Sequence, residues 1–193
     1  MRPLIPAWDW IVVAADRSAA AELQSFYEAN PEYWRMVYGH TPRPDEALQD
    51  FDATPPADMP YSALPMWLIR DRTSGRILGE VSVATDLLAG GVTHLGFFIV
   101  DAARQGSGFA SEVYASYEAW AIENGARWLR LGVVESNRRG HRFWLRNGYV
   151  ELRRRQDYVI GELSHTLIVM VKPVAPNTLD DYLTHVPRDR PES

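Results

Sequence analysis

The 193-residue sequence contains no cysteine. A disulfide framework, a thiolate metal site and a cysteine nucleophile are therefore excluded, and nothing calls for an oxidising compartment. Long apolar runs are missing too. The stretch Met1-Arg-Pro-Leu-Ile-Pro-Ala-Trp8 has none that would make a signal peptide or a membrane span, so the expectation is a cytoplasmic protein with no membrane contact. A basic excess is also lacking: the net charge is −5 and the pI about 5.5. General affinity for nucleic acid needs a cationic surface that displaces counterions, and this balance argues against it. Neither an internal repeat nor a low-complexity tract is present.

What is there fits one domain, expected over residues 1–173 with a partly disordered tail at 174–193. Trp10 to Ala14 reads as a first strand, followed by a helix carrying Leu23, Phe26 and Tyr27. A second helix, capped by Asn30 with Pro31 in its first turn, carries Tyr33, Trp34, Met36 and Val37 before Gly39 ends it. Residues 41–65 are proline-rich, with one helical turn around Asp45 to Phe51. Met66 to Arg70 and Ile77 to Thr85 form a hairpin through Ser74-Gly75, and a strand at Thr93 to Val100 follows. After a helix, a strand from Trp128 and another helix come two β-rich runs, Tyr149 to Arg155 and His165 to Val171, that complete a mixed sheet as an antiparallel pair. The tail beyond Pro173 has only Leu179, Tyr182 and Leu183 as apolar anchors.

The most informative stretch is Phe98-Ile-Val-Asp-Ala-Ala-Arg-Gln-Gly-Ser-Gly-Phe-Ala110, an apolar strand leading through a glycine turn into a helix. Gly106 and Gly108 allow a tight turn, and the first N–H groups of the helix face outward unpaired. A pyrophosphate fits such a cradle. The helix is marked by Phe109, Val113, Tyr117 and Trp120 at helical spacing, with Asn124-Gly125 as its stop. On its own the pattern is equally that of an ordinary strand-to-helix connection. The missing Lys-Ser/Thr after the glycines argues against a phosphate-transfer P-loop.

Spacing sharpens this. Val100, Gln105, Gly108 and Ala110 reproduce Val-x4-[Gln/Arg]-x-x-Gly-x-[Gly/Ala], and the chain thereby resembles the GNAT superfamily of acyl-CoA-dependent N-acyltransferases. A second block, Asn137-Arg-Arg-Gly-His-Arg-Phe-Trp144-Leu-Arg-Asn-Gly-Tyr149, is similar to that superfamily's Asn-x-x-Ala-x-x-Phe-[Tyr/Trp]-x-x-x-Gly-Phe. The resemblance runs from about Trp67 to Tyr149. It implies a single α/β (α+β) GNAT fold: a mixed, mostly antiparallel sheet of six to seven strands flanked by helices, with a splayed central strand pair. It further implies acetyl-CoA, or another short acyl-CoA, as co-substrate and no metal. Backbone groups of Phe98, Ile99 and Val100 would meet the pantetheine arm, and Gln105, Gly106, Ser107, Gly108, Phe109 and Ala110 the pyrophosphate. Asn137 has two compatible readings, as a helix cap and as a pantetheine contact. Trp144 stands where many members carry a tyrosine acid, and would line the thiol pocket.

Acyl transfer to an amine also needs a base. His94, six residues before Val100, stands where part of the superfamily places a catalytic glutamate, and ranks first, ahead of Glu80 and then Glu135. Each has the plain alternative of a strand-end polar residue. An indole N–H cannot give up its proton, so Trp144 is no acid; Tyr114 and Tyr149 are the available hydroxyls, both at positions suited to the core. Arg138, Arg142 and Arg146, joined by Arg139, stripe the last helix as a solvated face or as a meeting point for the 3′-phosphate or an acidic substrate. Arg153, Arg154 and Arg155 fall on both faces of a strand, so at least one borders the substrate side. The aromatic N-terminal helices should be mostly core, with Tyr33, Trp34, Tyr38 or His40 shaping an acceptor pocket.

The function expected is transfer of an acetyl or other short acyl group from acyl-CoA to an amine by direct attack in a ternary complex. The acceptor is a small molecule or a peptide or protein amine, and a homodimer is compatible with the sequence. The alternative is a non-catalytic acyl-CoA-binding or sensing domain. An unrelated nucleotide-binding module would instead prefer mononucleotides to CoA.

Overall fold

The computed structural model describes residues 9–191. Seven strands make one sheet, in the order β1-β2-β3-β4-β5-β7-β6. They are β1 (Trp10–Ala14), β2 (Met66–Asp71), β3 (Ile77–Ala84), β4 (Val92–Val100), β5 (Trp128–Val134), β6 (Val150–Ile160) and β7 (Leu163–Pro173). The helices are α1 (Ala20–Ala29), α2 (Glu32–Val37), α3 (Glu46–Asp52), α4 (Phe109–Glu123), α5 (Arg138–Arg146) and α6 (Leu179–His185). Five of the six pairings are antiparallel, and β4 with β5 is the parallel one.

Alternation along the strands assigns the helices to faces. Ile69, Leu78, Val81 and Val100 point to the layer of α4 and α5, where they pack with Phe109, Val113, Tyr117 and Trp144. Their neighbours Leu68, Ile77 and Ile99 point the other way, onto Leu23, Phe26, Tyr27 and Trp34 of α1 and α2. The proline-rich connection is anchored there: α3 sets Ala47 into the same cluster, and Gln24 bonds to both Arg43 and Ala47.

Two expectations change. Asn30 does not cap α2, whose preceding residue is Pro31. Its amide instead donates to Phe26 O and accepts from Ala102 N, both at 2.8 Å, tying the end of α1 to the loop after β4. Nor does the packed unit end at 173. Residues 174–191 carry α6, opened by a Thr178–Asp181 capping box, and a 3₁₀ turn at Pro187–Asp189. Tyr182 and Val186 close a third apolar cluster with Val92, Trp128 and Val171, beside α1 and α2 on the same sheet face. The sequence hides this because a short helix with few apolar residues reads as a tail, although Tyr182 is fully buried. Residues 1–8 and 192–193, the tail's end among them, lie outside the described residues.

Among the described residues no helix is long and apolar enough to cross a membrane, and no group of three or more His, Asp or Glu is placed to hold a metal ion.

Candidate active site

The site begins where the sheet fails to close. β4 pairs with β5 only over Val92–Leu95, opposite Trp128–Leu131. Beyond this, Phe97 to Val100 stay bonded to β3 while Val133 and Val134 follow β7, so the two strands part. From Gly96 onward the β5-facing edge of β4 is unpaired. A cleft of about 1540 Å³ passes through this gap and is lined from both faces of the sheet.

On the α4 side the cleft ends at the glycine turn. Gly106 and Gly108 have φ of +83° and +94°, and nothing lies within 4 Å of where a Cβ would project. Backbone conformation and open space, not crowding, make these positions glycine. The N–H groups of Gly106, Gly108 and Ala110 make no hydrogen bond among the described residues, and Phe109 N has only a 3.3 Å bond to Ser107 Oγ. Unpaired donors at the start of a 15-residue helix fit a pyrophosphate. Arg139 of α5 donates to Gln105 beside the turn, and Arg146 also lines the cleft, whereas Arg138 and Arg142 do not.

Asn137 caps α5 by accepting from Gly140 N at 2.8 Å and also lines the cleft. The fit at Gly140 is tight, since a Cβ there would lie 2.7 Å from Asn137 Nδ2. Trp144 is buried against Phe98, Tyr114 and Tyr149, with one side on the cleft. Neither Tyr114 nor Tyr149 lines the cleft, and burial pushes both hydroxyls well above the usual phenol range.

The three candidate bases stand in different surroundings. His94 reaches the cleft, but burial and the Arg130 guanidinium beside it lower its pKa to about 3. Arg130 Nη1, which can only donate, lies 3.2 Å from His94 Nδ1. The imidazole is therefore neutral, with its proton on Nε2, and is a very weak base. Glu135 is exposed, pairs with Arg154 and stands outside the cleft.

Glu80, on β3 opposite Ile99, lies in the cleft and is 0 % exposed. Burial raises its pKa to about 8 despite hydrogen bonds from Tyr27 and from Ser82 at 2.8 Å, and Asp50 adds to the rise. Tyr27 Oη bridges Glu80 and Asp50, the latter at 2.7 Å. A phenol has one proton and cannot donate to both carboxylates, so one of the two must itself be protonated and donate to the phenol oxygen. Burial lifts Asp50 only to about 6, which leaves Glu80 as the carboxyl that holds the proton near neutrality.

Of the four residues expected to shape an acceptor pocket, two line the cleft. Tyr33 and Tyr38 line the cleft, and burial raises the Tyr38 hydroxyl to about 12. Trp34 does not line it: the ring is buried 4.4 Å from that of Tyr27 and belongs to the core, and His40 also lies outside. Of the three arginines on β6, Arg155 lines the cleft, Arg153 bonds to Arg188 O, and Arg154 pairs with Glu135 and Glu151.

Sequence reasoning missed Tyr27, Asp50, Arg130 and Asp189. Each comes from a distant segment and has no spacing signal. The one available hint was a charged residue, Arg130, at an inward position of an apolar strand.

No curated protein matches the chain. Among solved structures, an acetyltransferase from Thermus thermophilus superposes with a TM-score of 0.68 at 15 % identity, covering 86 % of this chain and 98 % of its own. Ribosomal-protein-S5-alanine acetyltransferase from Vibrio fischeri gives 0.67 at 14 %, with 88 % and 95 % covered. Spermidine N-acetyltransferase from Vibrio cholerae, solved with CoA and spermine, gives 0.66 at 15 %, with 86 % and 95 % covered. At these identities the likeness is one of fold. The GNAT acetyltransferase family model matches residues 23–149, the span that contains the parted strands, the glycine turn and Glu80, and the chain belongs to that family.

Proposed function

We propose that the protein is an N-acyltransferase that moves an acetyl or other short acyl group from acyl-CoA to an amine by direct attack in a ternary complex. The observation that carries this reading is the alignment of three features along one cleft: unpaired N–H groups at the glycine turn, the open edge of β4, and a buried carboxyl with a raised pKa. The turn from Gln105 to Ala110 holds the pyrophosphate, with Arg139 beside it. The free edge of β4 around Phe98 to Val100 pairs with the pantetheine arm, while Asn137 and Trp144 flank it.

Glu80 is the base. In its ionised form it takes the proton of the acceptor's ammonium, directly or through a water, and a cationic amine nearby favours that form. The amine nitrogen then bonds to the thioester carbonyl carbon, the carbon–sulfur bond breaks, CoA leaves as the thiolate, and the surplus proton on the acylated nitrogen passes to water. Tyr27 passes the proton from Glu80 to Asp50, on the wall of the cleft, and so resets the base. No side chain supplies an acid to the thiolate, which water protonates.

The test is release of free CoA thiol from acetyl-CoA across a panel of amines. We expect turnover with at least one acceptor and loss of about 10²- to 10³-fold in Glu80→Gln. Acetyl-CoA binding without thiol release from any amine would favour a sensing domain instead.

A further inference from the structure

The wall of the cleft opposite α1 and α2 carries positive charge that the acyl-transfer reading does not use. Arg130 on β5 is buried and gives Nε and Nη2 to Asp189, at 2.7 and 3.1 Å, with Nη1 facing His94. Tyr182 also donates to Asp189, at 2.6 Å. Arg155 of β6 shares the same carboxylate through Nη2 at 3.1 Å. Its Nη1 and Nε have no partner among the described residues, Nε being buried as well.

Around Arg155 stand the guanidiniums of Arg130, Arg153 and Arg188. Among the described residues the carboxylates bonded to Arg130, Arg155 and Arg188 are Asp189 and Asp58. Asp189 is already shared by two arginines. His94, neutral and carrying its proton on Nε2, adds a donor beside them. Elsewhere in the same cleft stand the carboxyls of Glu80 and Asp50, with the hydroxyls of Ser82, Tyr33 and Tyr38. The cleft therefore offers a carboxyl pair in one part and, in another, the unpaired Nη1 of Arg155 beside the Nε2–H of His94.

We infer that the acceptor is an amino carboxylate: its amine faces Glu80, and a carboxylate several bonds away docks on Arg155 Nη1 and His94 Nε2. The strand register sets the span. Glu80 pairs with Ile99 and Ala84 with His94, so the two ends are four residues of β3 apart, about 13 Å between backbones at the usual strand rise. Side chains leaning inward shorten this, but the α-carboxylate of a free amino acid stays too close to its own amine to reach. A guanidinium that already spends one edge on Asp189 offers the other as a charge-assisted donor to a carboxylate.

This inference rests on the acyltransferase reading, and the experiment separates the two. Thiol release from acetyl-CoA is measured with ω-amino acids from glycine upward, each paired with its primary amide and set beside polyamines. In parallel, the same compounds are tested for thermal stabilisation of the CoA-saturated protein. We expect the longer ω-amino acids to be the best acceptors and amidation to lower kcat/KM about ten- to a hundredfold. In Arg155→Gln the acid–amide difference disappears, and Arg155→Lys restores part of it. The stabilisation by CoA itself, measured in each variant, reports that the fold is intact. Equal use of acid and amide, preference for polyamines, or an unchanged acid–amide ratio in Arg155→Gln overturns the proposal. Selective stabilisation by the acids with no thiol release supports the carboxylate site and overturns the acyltransferase reading alone.

Discussion

Glu80 and His94 show how two titratable residues on adjacent strands take opposite parts. Burial acts on both, but it opposes charge: it raises the carboxyl to about 8 and lowers the imidazole to about 3. As base, Glu80 predicts that kcat/KM rises with pH through a midpoint near 8, an apparent value shared with Asp50 through Tyr27. That limb should vanish in Glu80→Gln and keep its midpoint in His94→Gln; a midpoint that moves with His94 would reinstate the histidine. Stability carries the same signature. Between the ordinary 4.5 and about 8, the folded protein keeps the Glu80 proton that the unfolded chain releases, so this contribution is present below 4.5 and lost as pH rises through 8. Melting curves should show Glu80→Gln gaining on the wild type across that window, and a constant difference would contradict the burial account. For His94 the sign reverses, with stability present above 6.5 and falling as pH drops toward 3. Both residues were visible in the sequence as candidates. Their surroundings were not, because the Arg130 beside His94 and the Tyr27 that bridges Glu80 come from other elements.

At the scale of elements, the parted strands and the turn after them carry the site. Gly96 lies on β4 where the strands separate, and a Cβ there would meet only Ser82 O, at 3.6 Å. Gly96→Val should therefore fold normally, with Tm within a few degrees of the wild type, while its side chain fills the cleft and suppresses thiol release; a fully active variant would move the reaction elsewhere. The glycine turn and α5 were legible because spacing within one strand–turn–helix unit is preserved in the chain. Asn30 was misread for a related reason: as a cap its role is local, whereas its observed partner Ala102 is supplied by the fold.

Across the whole molecule, the C-terminal segment completes the sheet face that the N-terminal helices leave open. Tyr182 and Val186 each bury an apolar side chain, worth about 1.5–3 kcal/mol apiece. Asp189, 0 % exposed, neutralises Arg130 at the cleft's edge; burial alone would raise its pKa, but the hydrogen bonds and charge of Arg130 hold it below the usual carboxylate range. Asp189→Asn leaves that guanidinium buried without its charge partner, which should cost about 3–5 kcal/mol. Thermal unfolding would register this as a fall of roughly 10 °C or more, and a loss within a degree or two would show that the pair is solvated. The mixed sheet and its splayed pair were implied by the resemblance that two blocks in the central part of the chain carry, whereas the strand order comes from the structure. The segment after Pro173 escaped because two buried side chains in a polar stretch produce no periodicity.

The proposed function stands or falls with the binding of acyl-CoA by the glycine turn and the open edge of β4 together. Calorimetric titration with acetyl-CoA tests it directly, in the wild type and in Gly108→Val, whose side chain meets a φ of +94° and fills the cradle. We expect one equivalent bound, with a dissociation constant of roughly micromolar to sub-millimolar order, and a loss of at least about tenfold in the variant. No binding by the wild type at millimolar acetyl-CoA, or equal binding by both proteins, would contradict it.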